Sequence, residues 1–122
     1  MELSTELVQA RRLMSRLGIT ANYTGYHHAA HAVMLSAQEP ERLLLITKWI
    51  YPDVAKHYHT TWRGVERNIR TVCHLAWDKN RAELEHLAQH ALPVRPSAGV
   101  FLAILATHVQ SEQSNKAETP EW

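Results

Sequence analysis

The sequence predicts an all-α domain built around a helix-turn-helix, and two observations carry that expectation. Apolar residues recur every three or four positions in stretches bounded by Gly, Pro, Ser and Thr, the spacing that lines one side of an α-helix. Between Tyr51 and Trp77 two such stretches are parted only by the polar break His59-Thr60-Thr61, and the second carries opposite chemistry on its two faces.

Taken in order, the first helix spans Leu3 to Leu17, with Leu7, Val8, Leu13, Met14 and Leu17 apolar, Ser4 placed to cap it and Gly18 to stop it. Thr24-Gly25 opens a second, Tyr26 to Leu35. Pro40-Glu41 starts a third, carrying Leu43, Leu44, Ile46, Trp49 and Ile50, which hands over at Pro52 to the segment Tyr51–Tyr58. Proline is tolerated in a first helical turn because its missing N–H has no partner there, and Asp53 just behind it suits the positive end of the helix dipole. The next helix runs from about Trp62 to Asp78, and Glu83 to His90 forms a shorter helical patch after Lys79-Asn80. Pro93-Val94-Arg95-Pro96 forces an extended crossing, because a residue before proline is pushed out of helical geometry. Ser97 caps a last apolar helix, Gly99 to Gln110, and from Ser111 the text turns polar and is expected to be a disordered tail. The organisation is thus one helical domain over 1–110 and a tail over 111–122.

The helix from Trp62 holds the functional signal. At about 100° per residue, with Arg63 at 0°, Arg67 falls near 40°, Arg70 near −20° and His74 near 20°, whereas Val65, Ile69, Val72 and Ala76 cluster around 180–240°. One face is basic and the other is core. Thr60 and Thr61 can accept hydrogen bonds from the free amides of the first turn. Between Arg42 and Arg81 eight basic residues face three acidic ones, a surplus of +5 in a chain whose net charge is +1. The excess positive charge is concentrated on the helix pair, as a nucleic-acid reader requires.

Other function classes find less support. With 122 residues, 45% of them apolar, and four glycines, the chain suits one small folded domain. Its two aspartates, Asp53 and Asp78, both fall in the helix-turn-helix region, so no phosphoacceptor receiver is expected alongside; the chain reads as an excised effector domain or a stand-alone relative. The lone Cys73 is expected to be a buried, reduced thiol. No apolar run reaches membrane-spanning length and no signal sequence precedes the first helix, so a cytoplasmic protein is expected. There is no glycine-rich phosphate loop and no nucleophile elbow, and neither an enzyme nor a cofactor is expected. His27 and His31, at i and i+4, share a helical face and could bind zinc together, but no Glu lies between them as in a zincin and no third ligand is evident; surface histidines are favoured over a metal site. His57, His59 and His74 flank the reader, where they can meet phosphates or solvent.

The residues also carry a resemblance. Ile46-Thr47-Lys48-Trp49-Ile50-Tyr51-Pro52-Asp53-Val54-Ala55-Lys56, then Thr60-Thr61, then Val65-Glu66-Arg67-Asn68-Ile69-Arg70, then Ala76-Trp77, resembles the C-terminal effector domain of stage 0 sporulation protein A, of the sporulation response regulator family. The similarity runs from about Gly18-Ile19 to Val109. It implies a compact bundle of about six helices whose recognition helix enters the major groove of a short operator box, often with two copies in tandem. Glu66, Arg67 and Arg70 match the family's DNA-contacting positions. One departure stands out: where the family usually has an arginine just before the Val-Glu-Arg run, this chain has Gly64, with the arginine displaced to Arg63. That displacement turns the side chain by about 100°.

The expected site is therefore Arg63, Glu66, Arg67, Arg70 and His74 on the recognition helix with Lys56, Thr60 and Thr61 before it, and the expected partner is double-stranded DNA. The last helix is apolar on more than one face, so Phe101, Leu102 and Leu105 are candidates for a dimer contact as well as for a monomer core. The alternative function is a receiver-less interaction module that pairs with a full-length regulator and modulates it without strong DNA binding. Gly64 favours that alternative; Glu66, Arg67 and Arg70 favour the DNA reader.

Overall fold

The structure is a computed structural model that describes residues 4–118. Among them lie five α-helices: α1 (Thr5–Arg16), α2 (Thr24–Gln38), α3 (Tyr51–His57), α4 (Trp62–Ala88) and α5 (Ala98–Glu118), with a 3₁₀ segment Pro40–Leu45 and a π-helical turn Ile46–Ile50 between α2 and α3. The all-α expectation holds, with five α-helices where about six were expected.

Local chemistry starts and stops the chain's elements as the residue types demand. Ser4 Oγ accepts the Leu7 amide at 3.1 Å at the head of α1, and Ser97 Oγ accepts the Val100 amide at 3.2 Å at the head of α5. After α1 the chain turns at Gly18, whose φ of 82° lies in the left-handed region that glycine enters without strain. Helix α2 occupies the centre and packs against α1, α3, α4 and α5. Its small residues Ala29, Ala30 and Ala32 are fully buried together with Val33. Gly25 permits the closest approach: a β-carbon there would stand 2.3 Å from the carbonyl oxygen of Asn68 and 2.7 Å from Val72 Cγ1, both on α4.

Three departures from the sequence reading have tertiary causes. The expected third helix is instead wound tightly and then loosely. Leu45 leaves helical geometry, at φ −136° and ψ 55°, and the Tyr51 amide reaches back five residues to the Ile46 carbonyl. Pro52 offers no N–H to a regular ladder, and Arg42 clamps the segment by bonding both Glu39 (3.0 Å) and Asp53 (2.9 Å). The two helices expected at Trp62–Asp78 and Glu83–His90 form one run kinked at Asn80, at φ −140° and ψ 43°. There the Asn80 amide donates to the Leu17 carbonyl at 2.7 Å, tying α4 to the end of α1.

The third concerns the last helix. Residues 111–118 of the expected disordered tail continue α5, held by Gln110 Nε2 donating to Ala37 O at 3.3 Å, Gln113 Nε2 to Gln9 Oε1 at 2.8 Å, and a His108–Glu112 pair at 3.0 Å. Residues 119–122 of that tail lie outside the described residues. Phe101, Leu102 and Leu105 are corrected from a dimer surface to the monomer core: each is 0% exposed within a single chain. Their burial between α2 and α4 contributes about 1.5–3 kcal/mol per side chain, which accounts for the apolar character of α5 without a partner. Among the described residues no helix is long and apolar enough to cross a membrane.

Candidate nucleic-acid interface

Helices α3 and α4 form the helix-turn-helix. Asp53 lies in the first turn of α3, and the segment packs through buried Tyr51, Val54 and Ala55. The turn is made by His59 in the left-handed region, at φ 55°, and by the Thr60 amide donating to the Ala55 carbonyl at 2.9 Å. Thr61 then caps α4, its Oγ1 accepting the Gly64 amide at 3.1 Å. Of the two threonines expected to serve the first turn, Thr61 makes the bond.

Along α4 the inward face is Val65, Ile69, Val72, Cys73 and Ala76, all at 0% exposure. Arg63, Arg67 and Arg70 are exposed on the opposite face, and Glu66 and His74 are half-buried along its edge. The structure thus assembles the five expected recognition-helix residues into one stripe, with exposed Lys56, Thr60 and Thr61 at its N-terminal end. Within the stripe Arg70 donates to Glu66 at 3.3 Å, and Arg63 lies over the Trp62 ring at 5.2 Å. Burial first, and then the Glu66 charge, pushes the Tyr51 hydroxyl up to about 12, so the group beneath the stripe remains a neutral phenol.

Asn68 links α4 to α2, and the sequence reading did not single it out. Its Nδ2 lies 3.4 Å from His28 Nδ1. Burial, followed by repulsion from His27, holds His28 below its ordinary pKa, so an unprotonated ring nitrogen can accept. Gly64 is buried under the turn, where a β-carbon would meet Thr61 Oγ1 at 3.1 Å and Thr60 Oγ1 at 3.3 Å.

The histidines expected as a possible zinc pair are engaged separately. His27 Nε2 lies 2.8 Å from the Ala21 carbonyl, whereas His31 stacks on His57 of α3 with ring centroids 4.4 Å apart. Among the described residues no group of three or more His, Cys, Asp or Glu side chains converges as a metal site.

Beside the stripe runs a groove of about 540 Å³, with Glu66, Arg70 and His74 along one wall and Arg95, Pro96, Ser97 and the first turn of α5 along the other. Its second wall is a strap, Leu92–Ser97, pinned at three points. Arg81 donates to the Leu92 carbonyl at 2.7 Å, the Leu92 amide donates to Glu85 Oε2 at 2.6 Å, and Cys73 Sγ reaches the Pro96 carbonyl at 3.4 Å. Burial raises the Cys73 thiol to about 11, which keeps it protonated and able to donate. In the sequence Arg95 shows only as part of a proline-bounded crossing, and nothing local marks it as a neighbour of the recognition helix.

The profile of the family described as sporulation initiation factor Spo0A C terminal matches residues 10–109, a span that contains the helix-turn-helix, the strap and the core of α5. With an all-α bundle, a capped recognition helix and an exposed basic stripe already in place, the chain belongs to this family, the DNA-binding effector domain of a sporulation regulator.

Proposed function

We propose that this domain reads a short operator box by laying α4 in the major groove, with α3 crossing the backbone above it. The observation that carries this reading is the division of α4 into a fully buried apolar face and an exposed stripe of Arg63, Arg67 and Arg70. An α-helix is about 10–12 Å across with its side chains and the major groove is about 12 Å wide, so one helix fills it. Glu66 can accept from the exocyclic amine of cytosine, and an arginine on the stripe can pair with the O6 and N7 of guanine. The Glu66–Arg70 pair, 3.3 Å apart, brings the two side chains together at the groove edge. Lys56, Thr60 and Thr61 supply phosphate contacts at the start of the helix. Two copies arranged in tandem would have to meet through a surface other than the buried Phe101–Leu105 face.

The test is selection from random duplexes by the purified chain, followed by salt titration of Arg67→Ala and Arg70→Ala on the selected sequence. Each substitution should weaken binding, and loss of a phosphate contact lowers the slope of log affinity against log salt by about 0.9. Both variants should keep the wild-type helical signal, because neither side chain enters the core. Wild-type affinity and slope in both variants would rule α4 out as the reader.

The second reading, a module that pairs with a full-length regulator, is favoured by Leu44 at 83% and Trp49 at 48% exposure on the 3₁₀ and π segments. Failure to enrich any duplex, together with capture of such a regulator that Leu44→Asp abolishes, would select it.

A further inference from the structure

The groove beside the recognition helix carries a cation that the stripe does not account for. On one wall Glu66 and Arg70 largely neutralise each other. On the other, Arg95 is exposed and makes no ion pair or hydrogen bond among the described residues. Its position is nonetheless determined. Pro93 and Pro96 restrict the backbone on either side of it, and the three bonds with Arg81, Glu85 and Cys73 fasten the strap to α4. With the backbone already held, only the side chain of Arg95 has to be ordered when it meets an anion.

The geometry of a duplex supplies the anion. A helix that fills the major groove has the phosphates of one strand along each flank. Around α4 the Glu66, Arg70 and His74 edge is the flank that faces the strap, while Arg67 and Thr71 lie toward the other flank. With α4 as the reader, a phosphate beside the first flank lies against the groove, whose polar lining is Thr47, Tyr51, Glu66, Arg70, His74, Arg95 and Ser97. Glu66 is its only carboxylate and is already paired. The Ser97 oxygen accepts from Val100 and leaves the hydroxyl hydrogen free to donate.

We propose that Arg95, with the Ser97 hydroxyl and the His74 ring, grips a backbone phosphate of the DNA strand on the Glu66–Arg70–His74 flank of the recognition helix. The inference rests on α4 being the reader. It makes the strap a second, sequence-independent element of the interface, which sets how deeply and at what rotation α4 sits and leaves base preference to the stripe.

The experiment uses the whole chain on a duplex obtained from the selection described above. Arg95→Ala should lower the salt slope by about 0.9 and weaken binding by the same factor on every base-substituted variant of the box, with the order of base preference unchanged. Arg95→Lys should restore the slope, because a phosphate needs a positive charge there and not a planar fork. Neutral methylphosphonate, placed singly along each strand, locates the contact. At one position it should weaken the wild type but leave Arg95→Ala no weaker than on unmodified DNA. Circular dichroism of the variants establishes that the strap substitution leaves the helices intact. If Arg67→Ala weakens binding while Arg95→Ala retains wild-type affinity and slope, Arg95 is not in the interface and α4 still is. A wild-type chain that enriches no duplex overturns both readings.

Discussion

Gly25→Ala tests the placement of the recognition helix more directly than any change on its surface. The added β-carbon would lie 2.3 Å from the Asn68 carbonyl oxygen, 2.7 Å from Val72 Cγ1 and 3.0 Å from the Asn68 carbonyl carbon. Ordinary carbon–oxygen contact needs about 3.3–3.5 Å, so the two helices would have to separate by roughly 1 Å at this crossing. The first obstacle is backbone of α4, which cannot rotate out of the way as a side chain would. Overpacking of this kind costs about 1–3 kcal/mol, against a gain of at most about 1 kcal/mol from alanine's better helix propensity. A net loss of about 1–2 kcal/mol corresponds to a fall in Tm of roughly 4–8 °C for a domain of this size. Thermal and urea unfolding followed by circular dichroism measure it. Because Asn68 and Val72 belong to α4, the same shift should weaken DNA binding in protein that is still fully folded. A variant that melts within a degree of wild type and binds equally well would show that α2 and α4 do not approach so closely.

Gly64→Arg supplies the arginine that the resemblance leads one to expect just before Val65-Glu66-Arg67, and it should sharpen selection for guanine at a single position of the box. The Thr61 and Thr60 hydroxyls, 3.1 and 3.3 Å from the new β-carbon, have to yield by a few tenths of an ångström, which partly offsets the roughly 1 kcal/mol gained by removing a helical glycine. A base-substitution series for both proteins at one salt concentration is the comparison, and identical profiles would make position 64 neutral. Acid should destabilise the fold through His31. Its pKa is lowered to about 4, by burial first and then by repulsion from His57, against a smaller upward pull from Asp53 and with a further downward push from His28. The unfolded chain therefore takes up a proton near pH 6.5 that the folded chain refuses, so stability falls as pH drops from about 6.5 to 4 and this contribution levels off below. Urea unfolding of His31→Gln across that range should show a shallower decline; an undiminished decline would place the titration elsewhere.

What could be read from the residues alone was whatever is decided within a turn or two of helix. Ser4, Thr61 and Ser97 act on amides three residues away, so their caps are legible in the chain. The division of α4 into a basic and an apolar face is likewise local, because the helical repeat converts spacing into direction. The spacing of Tyr51-Pro52-Asp53, Thr60-Thr61 and Val65-Glu66-Arg67 is specific enough to point to the family from the chain alone.

The remainder depended on contacts between residues far apart in the chain. Hydrophobicity alone could not tell whether Phe101, Leu102 and Leu105 face a second copy or their own core; the answer lies in α2 and α4, which cover them. The polar text after Ser111 stays helical because Gln110 and Gln113 find Ala37 and Gln9, 73 and 104 residues away. Asn80 kinks α4 for a carbonyl 63 residues distant. Arg95 lines the groove beside α4 because Cys73, Arg81 and Glu85 hold the strap that carries it. The sequence by itself determined where the capped helices α1, α4 and α5 begin and which face of α4 is basic, since both follow from backbone geometry and near neighbours. Tertiary structure alone decided which apolar surface is interior and which charges share a groove, since both depend on the packing of elements that no local period encodes.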